Sequence, residues 1–132
     1  MSRKHLRRFL VLTGLTLALV ACAPKPVAVS VVAYDFFFDP DTIEVPAGAD
    51  VTLTLINRGR NEHVWLVFEK GYTPTFPYDE DDTPHVYART IADVTSQETF
   101  TFTAPSEKGE YTIICSLPEH AEKGMIGMLV VK

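Results

Sequence analysis

The strongest constraint on the fold is a two-residue rhythm of apolar and polar side chains that keeps restarting between turns. Val51, Leu53 and Leu55 alternate with Thr52, Thr54 and Ile56, and Phe100 and Phe102 alternate with Thr99, Thr101 and Thr103. Successive side chains of a strand point to opposite faces, so these runs predict strands with one buried face. Shorter apolar runs at 27–35, 42–45, 64–68, 86–94, 109–115 and 128–131 read the same way. Asp39-Pro40-Asp41, Pro46-Ala47-Gly48 and Asn57-Arg58-Gly59 supply turn chemistry between them. Residues 69–83 break the rhythm: they are aromatic, Pro-rich and acidic, with Asp79-Glu80-Asp81-Asp82 in a row, and read as a long solvated loop. There is no long amphipathic helical period and no internal repeat. About seven to eight short strands in roughly 105 residues predict an all-β sandwich over 27–132. Trp65 and Tyr111 read as core residues of that sandwich.

The segment before it has a different character. Arg3, Lys4, Arg7 and Arg8 make a basic start, and Phe9 to Ala21 is an apolar run of thirteen residues without a charge. That is too short for an ordinary membrane span and suits the middle of a secretory signal. The run closes on Leu19-Val20-Ala21-Cys22, which resembles the lipobox of bacterial lipoproteins. The resemblance implies cleavage before Cys22 and a lipid on its sulfur. The chain thus divides into a signal peptide at 1–21, a lipidated Cys22 with a short tether to residue 26, and the sandwich at 27–132. The expected location is outside the cytoplasm, anchored to a bacterial membrane and facing the periplasm or exterior.

Charge narrows the partners. All four basic residues of 1–21 leave with the signal and no acidic ones do. Eight Lys and Arg then face seventeen Asp and Glu, a formal charge of −9. Nucleic acid is excluded as a partner, because phosphate contacts need clustered Lys and Arg. An acidic surface keeps the protein soluble and steers it toward a basic partner.

The chain has two cysteines. With Cys22 assigned to the lipid, Cys115 stands alone in an exported protein, where a free thiol is prone to oxidation. Ligating a metal protects it. Cys115 opens the segment Cys115-Ser116-Leu117-Pro118-Glu119-His120-Ala121-Glu122-Lys123-Gly124-Met125, in which Cys, His and Met recur at steps of five. From the composition, this spacing arises by chance at a frequency of roughly 0.001. Thiolate, imidazole and thioether are soft-to-borderline donors that together suit copper, and a second imidazole completes the set of an electron-transfer site. His63, between two strand-like runs, is available. Strands on either side of the Cys115–Met125 loop place its three donors at one end of the sandwich, and His63 need only start a neighbouring strand there.

These residues resemble the cupredoxins, the plastocyanin–azurin group of blue copper proteins. The matching text is AYDFFFDPDTIEVPAGADVTLTLINRG, then EHVW, then GEYTIICSLPEHAEKGMIGMLVVK, which together cover nearly all of 27–132. The Cys-x4-His-x4-Met spacing is similar to that of rusticyanin and auracyanin. The resemblance implies a Greek-key sandwich and one type 1 copper, with His63, Cys115 and His120 in a plane and Met125 axial. It makes His120 the exposed ligand and electron port, flanked by Leu117, Pro118, Gly124 and Ile126 as an apolar docking patch. Met128, three residues into the following strand, is the weaker axial candidate. One departure stands out. Many members have Asn directly after the first His, where this chain has Val64, which implies a higher reduction potential than an otherwise equal Asn-containing site.

The function expected is single-electron transfer to and from redox proteins such as a cytochrome, by a monomer that is not an enzyme. Delivery of copper to envelope enzymes is the alternative, since it uses the same ligands. A thiol nucleophile pair is disfavoured because no orienting third group or oxyanion device is apparent. A multicopper oxidase needs more histidines than the four present. The acidic run at 79–82 is expected to orient a basic partner, and His85 beside it to face solvent.

Overall fold

The computed structural model describes residues 22–132. The proposed signal peptide lies outside them. Cys22 is exposed and unpaired, and residues 23–26 are extended.

Among the described residues nine strands form: β1 (Val27–Tyr34), β2 (Phe37–Asp39), β3 (Thr42–Val45), β4 (Asp50–Asn57), β5 (His63–Phe68), β6 (Val86–Ala92), β7 (Gln97–Thr103), β8 (Gly109–Ile114) and β9 (Ile126–Val131). They make a four-stranded sheet of order β2-β1-β4-β7 and a five-stranded sheet of order β3-β9-β8-β5-β6. The count exceeds the expected seven to eight because Phe37–Asp39 folds back on the end of β1 as a separate three-residue strand. Otherwise the strand limits fall within a few residues of the alternation pattern.

The long strands obey that pattern. Val51, Leu53 and Leu55 of β4 are buried, as are Ile43 and Val45 of β3 and Leu129 and Val131 of β9. Trp65 tilts against Phe102 across the gap between the sheets, and Tyr111 is 3% exposed, so both are core.

β5 departs from alternation: all six of its residues are buried. One face of β5 meets the other sheet through Trp65. On the opposite face, Tyr72 and Tyr78 of the 69–85 connection pack on Phe68 at the end of the strand. The connection is irregular and mostly exposed, as expected of a long loop, but it is not solvated throughout: Pro74 and Asp82 are buried and Tyr72 and Tyr78 are half-buried. Its aromatic side chains form a lid over the Phe68 end of β5, where the strand is apolar on both sides. Asp82, expected within an exposed acidic run, is fully buried and ties the lid together. Its carboxylate accepts hydrogen bonds from the Tyr72 hydroxyl (2.7 Å) and from the backbone N–H groups of Asp79 (3.1 Å) and Thr75 (3.3 Å). Asp79, Glu80 and Asp81 remain exposed. His85 is half-buried, stacked on Tyr72 with centroids 4.0 Å apart.

Register decides what gathers at each end. β5 begins at His63, opposite Ala92 at the end of β6. β8 ends at Ile114 opposite Ile126, the start of β9. β1 and β4 run parallel and finish together, Ala33 opposite Asn57. One pole therefore carries the segments 35–36, 58–62 and 115–125. The lid, inserted between Phe68 and Val86, is anchored at the other pole.

Candidate metal centre

Each donor reaches this pole for a local reason. Asn57 is 2% exposed, and its side-chain amide donates to the carbonyls of Asn61 (2.7 Å) and Ala92 (3.0 Å) while its oxygen accepts from Gly59 N–H (2.8 Å). These bonds shape the turn that delivers His63 to the first position of β5. The 115–125 loop is closed by its own backbone: Cys115 N–H donates to Met125 O (3.0 Å) and Met125 N–H to His120 O (2.9 Å). Gly124, with φ +105, takes a left-handed turn that side chains disfavour just before Met125.

His63 Nδ1 lies 4.0 Å from Cys115 Sγ, and His120 Nδ1 lies 3.4 Å from it. The donor atoms of His63, Cys115 and His120 all fall within 4.8 Å of one another. Donors bonded to one ion at about 2.0–2.3 Å, spread around it in a plane, sit about 3.5–4 Å apart. The cluster thus fits a single metal ion, and its two imidazoles and one thiol are the equatorial set of an electron-transfer copper site. Met125 is fully buried beside them. Met128 is half-buried on β9, opposite Thr112 and next to the inward-facing Leu129, so it is set in the sheet rather than in the ligand loop.

Burial governs the protonation of these groups in the metal-free protein. It pushes the Cys115 thiol up, against the pull of the Leu117 and Val64 N–H groups, the latter 3.5 Å from the sulfur. A metal entering at neutral pH must therefore displace the thiol proton. Burial lowers His63, which the neighbouring His120 lowers further, and burial also lowers His120. Both rings stay neutral, with a lone pair to offer, to lower pH than an ordinary histidine.

The two imidazoles differ little in access. His63 is wholly buried and His120 is 6% exposed, which corrects the expectation of an openly exposed second histidine. The cover is Phe36, whose ring meets His120 edge-on with centroids 5.2 Å apart and carries the Lys123 ammonium 4.9 Å above it. Phe36 holds a positive φ of 75 in the tight connection from β1 to β2. Sequence reading missed both Phe36 and Asn57. Asn57 carries a turn signal, but nothing in the triple Phe36-Phe37-Phe38 says which ring turns toward the site. Of the proposed patch, Pro118, Gly124 and Ile126 are exposed and Leu117 is half-buried against the core.

A two-sheet Greek-key sandwich with a buried Cys–His–His cluster and a Met at one pole defines the cupredoxin class. The chain belongs to this family: the cupredoxin-like domain model matches residues 8–131. It is similar to rusticyanin of Acidithiobacillus ferrooxidans, 33% identical over 95 residues that make up 69% of this chain and 60% of that protein. The chain spans only 50–60% of the length of the curated rusticyanins it matches. Among solved structures, it resembles auracyanin A, a blue copper protein of Chloroflexus aurantiacus, with TM-score 0.67 and 27% identity, covering 81% of this chain and 99% of that one. Reduced rusticyanin gives TM-score 0.57 and 30% identity over 80% of this chain and 79% of that one.

Proposed function

We propose that the protein is a single-electron carrier in which one type 1 copper would be held by His63 Nδ1, Cys115 Sγ, His120 Nδ1 and the Met125 thioether. The observation that carries this reading is the convergence of three buried donors within 4.8 Å at the end of a rigid sandwich. Copper, when bound, supplies the one-electron couple. The protein's part is to hold the donors in one arrangement that serves both oxidation states. Donors fixed by strand ends and by a self-closed loop suit that task. Their burial also favours electron transfer over copper delivery, because a hand-off needs an acceptor's ligands to reach the ion.

His120 is the ligand with a path to the surface, through or beside Phe36. The exposed Pro118, Gly124 and Ile126, with half-buried Leu117, give this pole an apolar rim. Phe37, 51% exposed, widens it. A redox partner with an apolar centre and basic periphery, such as a cytochrome, fits this end. Because the acidic lid is anchored at the opposite pole, its charge acts by long-range steering, and the association rate should fall as ionic strength rises. Lipid on Cys22 would hold the domain at the outer face of a bacterial membrane through the 23–26 tether.

The test is the absorption and EPR spectrum of residues 23–132 loaded with Cu(II). An intense visible thiolate-to-copper band with reversible one-electron redox is expected. Absence of the band rules the carrier out, and loss of the ion to a metal-free acceptor favours delivery. His63→Ala should weaken copper binding severely.

A further inference from the structure

The imidazole of His63 has a second nitrogen that the copper reading leaves without a role. With Nδ1 turned to the sulfur, the ring must carry its proton on Nε2 if Nδ1 is to offer a lone pair. Nε2 is the one buried side-chain polar atom among the described residues that has no hydrogen-bond partner. The acceptor facing it is Asp35 Oδ1, 3.4 Å away. Asp35 follows the last residue of β1 and His63 opens β5, so the two groups meet from opposite sheets.

Two features keep this facing pair in place. Arg60 grips the carboxylate from outside: its Nε donates to Oδ2 (2.7 Å) and its backbone N–H to Oδ1 (2.9 Å). Gly59 keeps the gap open. A Cβ at position 59 would collide with both His63 Nε2 and Asp35 Oδ1. Its φ lies outside the left-handed range, so glycine is required here for space and not for backbone conformation.

We propose that Asp35 is a positioning residue of the copper site: its carboxylate fixes the His63 ring with the proton on Nε2 and, through that ring, holds the copper potential down, while Arg60 moderates the effect. A metal-bound imidazole that donates its other N–H to a carboxylate becomes a more basic ligand. Negative charge one ring away from the ion stabilises Cu(II) more than Cu(I), which lowers the potential. The Arg60 guanidinium offsets part of that charge, and as an 87% exposed side chain it does so through solvent.

This rests on the copper reading above, and the test separates the two. In the full copper-loaded chain, Asp35→Asn keeps the shape and removes the charge. Loss of such an outer partner costs a ligand site tenfold to a hundredfold. If that loss falls on Cu(II), it reads as a rise of about 60–120 mV in a one-electron couple, with the visible band retained. Arg60→Gln should shift the potential the opposite way by a smaller amount, and Gly59→Ala should shift it the same way as Asp35→Asn. A wild-type protein with no visible band defeats the copper reading. An intact band with an unmoved or lowered potential in Asp35→Asn overturns this proposal, as does an Arg60→Gln shift upward or of zero. Should Asp35→Asn fail to fold, the sign for Arg60→Gln decides alone, since a purely structural clamp at an exposed side chain gives no downward shift.

Discussion

At the scale of single residues, the site contains one adjustable donor and one unusual neighbour. Met125 is fully buried, so Met125→Leu keeps the volume and removes only the thioether. Copper should stay bound by His63, Cys115 and His120, and the potential should rise because Cu(II) would lose more from the missing thioether than Cu(I) would. A voltammetric titration checks this, and loss of copper would show that the thioether is needed for binding itself. Val64 lies beside the ligands, 1% exposed, with its N–H directed at the sulfur. An apolar side chain there disfavours the more highly charged oxidised site. Val64→Asn should lower the potential, and a redox titration that showed a rise would contradict the assignment.

At the scale of elements, the 69–85 lid depends on one carboxylate. Burial pushes Asp82 upward, yet the Tyr72 hydroxyl and the Asp79 and Thr75 N–H groups outweigh it and hold its carboxyl below the ordinary value. The bond to Asp82 in turn raises the Tyr72 phenol to about 12. A carboxyl depressed on folding stabilises the native state above its unfolded pKa and loses that contribution as pH falls through its folded pKa. The stability supplied by Asp82 should thus decline below the ordinary aspartate value of 3.8. Asp35, held at about 2 first by the Arg60 side-chain bond, acts in the same window. Asp82→Ala removes the charged acceptor shared by three part-buried hydrogen bonds and should cost about 2–3 kcal/mol in urea unfolding at pH 7. The deficit relative to wild type should shrink as the pH falls below 3.8. Because the lid is anchored at the far pole, the copper spectrum should not change.

At the scale of the whole molecule, the ladders of both sheets join strand residues outside the 115–125 ligand loop, and most of the apolar core between them also lies outside it. Removing copper should leave the far-UV circular dichroism unchanged and lower the Tm, since the ion stabilises the fold only by binding it. That contribution is about 4 kcal/mol when free copper exceeds Kd a thousandfold. Calorimetry of the copper-free and copper-loaded protein checks this, and collapse of the β signal on copper removal would mean that the metal organises the fold.

Much of this was legible in the chain. Alternation is a local property of a strand, so the all-β class and most strand limits follow from the sequence. The step-of-five spacing of Cys115, His120 and Met125 is confined to one loop, which made their grouping readable too. The rest depended on partners distant in sequence. The burial of β5 on both faces required seeing what the aromatic lid covers, and the acidic run concealed one residue, Asp82, that is a structural anchor rather than a surface charge. The facing of Asp35 and His63 arises where two sheets end side by side, with Gly59 leaving room between them. Periodicity records which face of an element is apolar; it carries no information about what the other sheet places against that face, and at the copper pole that placement decides which histidine is enclosed, which ring covers the other, and which carboxylate stands behind a ligand.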